Sequence, residues 1–372
     1  MVIKLKIRGS KMKRENYLFA VGPVEMDDEI RNMGAMRIPY FRTEEFSQLM
    51  LRTSQLMKKF VKTSGKSKTV FLTASGSGAM EAAIINTFNS NDKLLVVVGG
   101  SFGKRFNEIC NIHKIPNTVI LLKQGETLKY EMLQQYRGQG YTGFLINAHE
   151  TSTGVYYDLP MVGEFCKEEE MIFVVDAISS FLADEFCMDE WNVDMTIVSS
   201  QKALALPPGI SIVVVNEKTS NRIVNNEVQS LYFNFKDYFG NMERGQTPFT
   251  PAVGILFQLR ERLEYIERVG VENVIEHTAC LAKDFREKVK ELPFEIPSQR
   301  LSNAVTPLKP RNGVSANDIF LYLKNNHNIF ICPNGGNLKY TLFRVGHIGN
   351  LTVEDNDMLI NALNDMEKEG LI

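Results

Sequence analysis

Short apolar runs bounded by turn residues recur through the first 215 positions, at 68–73, 93–98, 118–122, 143–146, 171–175, 195–198 and 211–215. They are rich in Val and Ile and do not alternate with polar residues. That texture predicts strands covered on both faces. Helical patterns at 77–88, 102–113 and 159–170 fall between them. Strand alternating with helix predicts an α/β layer on a mostly parallel sheet.

After about residue 250 the pattern changes. Residues 252–269 and 271–292 read as two long amphipathic helices. Strand-like pieces follow near 304–308 and 342–345, with helices near 315–325 and 353–369. This predicts a large domain over 17–250 and a smaller α+β domain over 251–372, preceded by an arm at 1–16. The stretch 217–245 reads as irregular and aromatic, with Tyr232, Phe233, Phe235, Tyr238 and Phe239. A segment covering a site or an interface has this look, and so does a packed loop.

Charge and cysteine usage narrow the classes. The 372 residues carry 42 Lys+Arg against 44 Asp+Glu, a formal net charge of −2. A nucleic-acid binder normally shows a basic excess, so none is expected. No stretch approaches the roughly 20 apolar residues that span a bilayer, so no membrane partner is expected. Cys110, Cys166, Cys187, Cys280 and Cys332 form no CxxC pair. A zinc cluster is therefore unsupported, and a reducing cytoplasm suits the pattern. Lys4, Lys6, Arg8, Lys11, Lys13 and Arg14 make the start basic without the apolar core of a secretory signal. A solvated arm, or a natural start at Met12, is the expectation there.

Three pieces carry chemistry. In Val198–Gly209 (VSSQKALALPPG), Lys202 follows a strand and precedes a Pro-Pro-Gly loop. An amine between small polar groups and an apolar wall is a Schiff-base candidate, because desolvation lowers a lysine pKa. Asp176 ends the run MIFVVD, where a parallel sheet binds ligands. It reads either as a helix N-cap or as the anion that keeps a pyridine nitrogen protonated. Thr73–Ala82 (TASGSGAMEA) is a small-residue turn entering a helix, and such a turn makes an anion site of its backbone N–H groups. Gly76 and Gly78 lack the third glycine of a dinucleotide fingerprint, which disfavours a nicotinamide dehydrogenase.

Together these pieces resemble the class V aminotransferases, pyridoxal-phosphate enzymes of fold type I. Alanine–glyoxylate, serine–pyruvate and 2-aminoethylphosphonate–pyruvate aminotransferases are the nearest members in pattern. The resemblance runs from about Tyr17 to the end. It rests on Val-Asp-Ala-x-Ser-Ser at 175–180, Ser-Ser-Gln-Lys-Ala-Leu at 199–204 and Pro-Pro-Gly at 207–209.

The resemblance implies the following roles. Lys202 bonds covalently to the cofactor and later carries a proton. Asp176 pairs with the pyridine nitrogen, and Ser75, Gly76 and Ser77 hold the phosphate. Phe102 stacks on the ring, Thr151 contacts the cofactor, and Gln201 lies near the phosphate. A homodimer is implied, because the segment at 243–253 completes the phosphate site of the other subunit. Thr250 is the better match there. Thr247 stands where relatives often carry Tyr, and Arg244 is a candidate source of charge. Arg344 matches the arginine that holds the substrate carboxylate, and it would also suit a phosphonate. Gly22, before Pro23, lines the same pocket. Arg42 lies at its mouth, unless it simply pairs with Glu44 or Glu45.

The implied activity is transamination between a small amino acid such as alanine or serine and a 2-oxo acid such as glyoxylate or pyruvate. One alternative is a 2-aminoethylphosphonate–pyruvate aminotransferase. A second is a cysteine desulfurase-like lyase. Those enzymes place His before the lysine and His on the ring, where this chain has Gln201 and Phe102. They also need a mobile cysteine, for which only Cys332 is available, read here as a loop residue. A third is a non-catalytic cofactor-binding regulator. It would be expected to lose a cofactor residue or carry a DNA-binding module, and neither is visible.

Overall fold

The computed structural model describes residues 15–372. The basic cluster from Lys4 to Arg14 lies outside the described residues. The described chain opens with strand β1 (Tyr17–Phe19) and helices α1 (Asp28–Met33) and α2 (Glu44–Phe60). It then alternates through β2 (Lys68–Leu72), α3 (Gly76–Thr87), β3 (Leu94–Val98), α4 (Ser101–Ile112), β4 (Asn117–Leu121), α5 (Tyr130–Leu133) and β5 (Gly143–Asn147). A small hairpin, β6 (His149–Glu150) and β7 (Val155–Tyr156), leads to α6 (Leu159–Glu168), β8 (Ile172–Asp176), β9 (Met195–Ser199) and β10 (Ser211–Val215). Helices α7 (Glu217–Asn225), α8 (Phe235–Met242), α9 (Val253–Val269) and α10 (Val271–Lys288) follow. The chain closes with β11 (Phe294–Glu295), β12 (Val305–Pro310), α11 (Ala316–His327), β13 (Ile329–Pro333), β14 (Phe343–Gly346) and α12 (Val353–Lys368).

The central sheet has seven strands in the order β2-β10-β9-β8-β5-β3-β4. Strands β9, β8, β5, β3 and β4 run parallel, while β10 is antiparallel to both of its neighbours. The local cause is the connection from β9 to β10. It is the short Lys202 loop, with no room for a crossover helix, so the chain turns back beside itself.

The apolar runs do not alternate because both faces of this sheet are covered. In β8, Phe173 and Val175 join a core with α2, α6 and α9, while Ile172 and Val174 join a second core with α3, α4 and α8. A third core lies between the second sheet, ordered β1-β13-β14-β12-β11, and α10, α11 and α12.

Two placements differ from the division read from sequence. Strand β1, grouped there with the first 250 residues, pairs in parallel with β13 of the C-terminal sheet. Helix α9, grouped there with the C-terminal part, packs on α2 against the central sheet. Both follow from where their apolar residues are buried. Phe19 belongs to the third core, and Leu256, Leu259 and Leu263 belong to the first. The stretch 217–245 is likewise more ordered than expected. Its helices α7 and α8 are each N-capped by an Asn side chain, Asn216 and Asn234.

If β1 closes the C-terminal sheet, Phe19→Ala should cost about 3–5 kcal/mol, the usual range for emptying a fully buried phenylalanine site. Thermal unfolding followed by calorimetry should show the loss in the transition that melts the C-terminal core. An unchanged midpoint would contradict this packing.

Candidate active site

All the parallel strands end at one edge of the central sheet, and the loops beyond those ends bring the chemistry together. β8 ends on Asp176, and β9 runs directly into Lys202. β5 leads to Thr151, β3 to Phe102, and β2 to the turn before α3.

The Lys202 loop is tied down on both sides. Ser200 N–H donates to Ile210 O at 2.9 Å, and Ser200 Oγ donates to Pro207 O at 2.7 Å. Lys202 Nζ donates to Val21 O at 2.6 Å. Gly22 follows with φ at +127, and a Cβ there would lie 2.6 Å from Lys202 Cδ and 2.9 Å from Nζ. Only glycine lets the 20–23 segment approach the amine so closely. Burial lowers the Lys202 pKa to about 8, with Arg344 and Arg105 adding to the shift and Cys332 and Asp176 opposing it.

Asp176 is buried, and burial raises its pKa to about 6. The Ile178 N–H, donating to Oδ1 at 2.8 Å, and Lys202 pull it back down. It does not cap a helix, because no helix of the described residues begins at that turn. The bland reading of this aspartate therefore fails. A carboxylate and an amine, each desolvated, face each other electrostatically at neighbouring strand ends.

The start of α3 has no side-chain cap, although Ser75 occupies the N-cap position. Its first-turn N–H groups are thus available to an anion. Ser77 Oγ accepts from Arg105 Nη1 at 2.9 Å, which puts a guanidinium at the same turn. Gln201 Oε1 accepts from Ser199 Oγ at 2.7 Å, and Ser199 Oγ shares a 2.9 Å hydrogen bond with Ser211 Oγ beside the same sheet edge. Phe102 is half-buried, with the Arg105 guanidinium 5.1 Å from its ring centre. Thr151 Oγ1 shares a 2.7 Å hydrogen bond with Ser179 Oγ.

Arg344 reaches the site from β14. Its Nη1 donates to Thr151 O at 3.1 Å and its Nη2 to Pro333 O at 2.8 Å, while Nε is buried with no partner. Burial lowers its pKa, opposed by Cys332 and Glu150. Cys332 lies directly opposite Arg344 in the β13–β14 register. It is a strand residue, not the loop residue expected from its Pro-Asn-Gly-Gly surroundings, because pairing with β14 extends the strand through Pro333.

The remaining expected residues lie along the segment at 243–253. Thr247 is buried, and its Oγ1 donates to Phe249 O of the same chain at 2.7 Å. Thr250 is exposed, and Arg244 is exposed and bonded to Asn241. Arg42 donates to Gln246 Oε1 at 3.0 Å and to Thr247 O at 2.9 Å. It braces this segment instead of pairing with Glu44 or Glu45.

Two further side chains at the site belong to none of the sequence motifs. Arg105 stands three residues after Phe102, a spacing that puts both on one helix face. His149 is fully buried with no well-formed hydrogen bond at either ring nitrogen, and burial, opposed by the Ser179 backbone and helped by Lys202, Arg344 and Arg286, lowers its pKa to about 3. It is a neutral base at any ordinary pH. No local sequence signal marks it.

A lysine on the loop after a sheet strand, an acid at the end of the preceding, neighbouring strand and an uncapped helix start match the fold type I class of pyridoxal-phosphate enzymes. The sequence profile of the class-V aminotransferases matches residues 31–337, and the chain belongs to that family. It is 28% identical to an L-aspartate–glyoxylate aminotransferase of Paracoccus denitrificans, over 92% of this chain and 88% of that one. It is also 28% identical to a serine–glyoxylate aminotransferase of Arabidopsis thaliana, over 90% of this chain and 86% of that one. The solved aspartate aminotransferase of Thermus thermophilus superposes with a TM-score of 0.88 at 25% identity, covering 94% of this chain and 99% of that one. The chain is a pyridoxal-phosphate-dependent transaminase.

The residues present fit that cofactor by their chemistry. The amine of Lys202 suits an aldehyde, the buried Asp176 suits a protonated ring nitrogen, and the open start of α3 with Arg105 suits a phosphate.

In the cofactor-free protein, competitive acetylation followed by peptide mass spectrometry should give Lys202 a reactivity midpoint near pH 8. Only the neutral amine reacts, so reactivity should rise with pH through that value and level off above it. A midpoint in the ordinary lysine range, near 10.5, would contradict the desolvated setting.

Proposed function

We propose that this chain, as a homodimer, transfers an amino group between a small amino acid such as alanine or serine and a 2-oxo acid such as glyoxylate or pyruvate. The observation that carries the reading is the state of Arg344. It is buried and held by two backbone carbonyls, yet its Nε remains unpartnered. A buried unpaired donor is costly, and a substrate carboxylate satisfies it. The two relatives named as glyoxylate aminotransferases favour glyoxylate as the acceptor.

Pyridoxal phosphate, when bound, supplies a carbonyl for the substrate amine and a ring that takes up the electron pair released at Cα. The protein does the rest. Lys202 Nζ would take up the Cα proton and later give it back, a task for an amine whose pKa lies near the working pH. Asp176 keeps the ring nitrogen protonated. Ser75, Gly76, Ser77 and Gln201 hold the phosphate, and Phe102 and Thr151 fix the ring. Arg344 orients the carboxylate, while Gly22 leaves room for Lys202 to move. Across the dimer interface Thr250, whose side chain is exposed, suits the partner's phosphate better than Thr247, which is turned to its own chain.

A 2-aminoethylphosphonate donor is the second reading, since a guanidinium also binds a phosphonate. A desulfurase-like role is disfavoured by the position of Cys332 within a paired strand. A non-catalytic regulator is disfavoured because Lys202 and Asp176 stand together.

Amino donors should be added singly to the cofactor-loaded protein while the visible band is followed. Alanine, serine or aspartate should bleach it, and glyoxylate should restore it. Bleaching by 2-aminoethylphosphonate alone, or sulfide release from cysteine, would overturn the proposal. Arg344→Lys should raise the KM for carboxylate donors roughly 10- to 100-fold, the scale of a lost charge-assisted hydrogen bond. An unchanged KM would contradict the assigned role.

A further inference from the structure

Two helices begin at the same sheet edge and meet opposite fates. The start of α3 is uncapped, as an anion site requires. The start of α4 is closed, and the group that closes it comes from 48 residues away. Glu150 has 0% exposure, and its carboxylate is aimed at that helix. Oε1 accepts from Phe102 N at 3.4 Å, Ser152 N at 3.3 Å and Ser152 Oγ at 2.5 Å. Oε2 accepts from Gly103 N at 3.0 Å and Asn147 Nδ2 at 3.3 Å. Ser152 Oγ also accepts from Ser101 N at 3.2 Å.

The first three N–H groups of α4 are therefore all taken, by Glu150 at the end of β6 and by Ser152 in the turn that follows it. Gly100 has no side chain with which to cap the helix, and a Cβ there would lie 2.2 Å from Ser152 Oγ and 2.5 Å from Glu150 Cδ. Five donors and the positive end of a helix dipole meet one carboxylate that has no direct ion pair among the described residues.

What this contact joins is the two halves of the site. Helix α4 carries Phe102, and through Arg105 it reaches Ser77 at the start of α3. On the other side, the next residue along the chain is Thr151. Its hydroxyl bonds Ser179, and its carbonyl accepts from Arg344. We propose that Glu150 is a positioning residue that pins the start of helix α4 to the Thr151 turn, so that Phe102 and Arg344 keep a fixed spacing across the reacting atoms. It rests on the reading of Phe102 and Arg344 given above. Glu150 does not touch the reacting atoms; it acts through the two residues it spaces. The requirement is for an acceptor at both oxygens, which glutamine of equal size cannot supply.

The test is Glu150→Gln in the cofactor-loaded enzyme, beside Phe102→Leu and the double variant. The readouts are the visible circular dichroism per bound cofactor, the cofactor dissociation constant, and KM separately from kcat. Glu150→Gln should weaken cofactor binding roughly tenfold or more, as expected for donors left facing an amide. It should also reduce the dichroism of the bound cofactor and raise KM as Arg344 loses register. In the Phe102→Leu background the added loss of cofactor affinity should largely disappear, since the carboxylate acts through that ring.

Ser152→Ala removes the hydroxyl that serves both Glu150 and Ser101. It should shift the same quantities by a smaller factor, and it tests the clamp should Glu150→Gln not fold. Dichroism, affinity and KM unchanged in Glu150→Gln, or in Ser152→Ala where that is the folded variant, would overturn the clamp while a response to Phe102→Leu kept the site reading intact. No response to Phe102→Leu would instead overturn the reading of Phe102 on which the clamp depends.

Discussion

Ionised groups withdrawn from water must be met by partners held in place, and at the ends of the central strands this chain buries several at once. Asp176, Arg344 and Glu150 lie in the interior, and the amine of half-buried Lys202 is largely desolvated beside them. None forms a direct ion pair with another among the described residues. Each is met instead by backbone: Val21 O for the amine, Ile178 N–H for the aspartate, Thr151 O and Pro333 O for the arginine, and the first turn of α4 for the glutamate. Side chains that neutralised one another would leave nothing for a ligand. For Lys202, Asp176 and Arg344 the backbone holds the group while leaving it partly unsatisfied, and that residual demand is what an ionic cofactor and a carboxylate substrate can meet.

The same constraint explains why two sheets are needed. Arg344 projects from the C-terminal sheet onto the turn of the β6–β7 hairpin, and β1 of that same sheet delivers Val21 and Gly22 beside Lys202, which follows a strand of the central sheet. The sheet to which β1 belongs is therefore not incidental to the site. The loop at 20–23 can reach the lysine because the strand before it is anchored in the third core.

Much of this was legible in the sequence. The apolar runs locate the central strands to within a residue or two, because full burial on both faces leaves a continuous Val/Ile signature. Asp176, Lys202 and the turn at 75–77 fall where their motifs place them. β1 was not legible because it has only three residues, and β13 was not because the Pro-Asn-Gly-Gly run after Cys332 reads as a loop. Helix α2 has readable signals in its Thr43 cap, its first-turn Glu44 and Glu45 and its last-turn Lys58 and Lys59, yet it lies outside the alternation that organised the reading. The antiparallel setting of β10 depends on loop length rather than on composition. The Glu150 contact is a pairing across 48 residues, and nothing along the chain announces it.

The central claim is that Lys202 is, among the described residues, the amine placed to bond the cofactor. Borohydride reduction fixes such a C=N link as a stable C–N bond, and peptide mapping then finds it. Treatment of the cofactor-loaded protein should label a single peptide, the one containing Lys202. A label spread over surface lysines, or no label on a protein that still transaminates, would contradict the account.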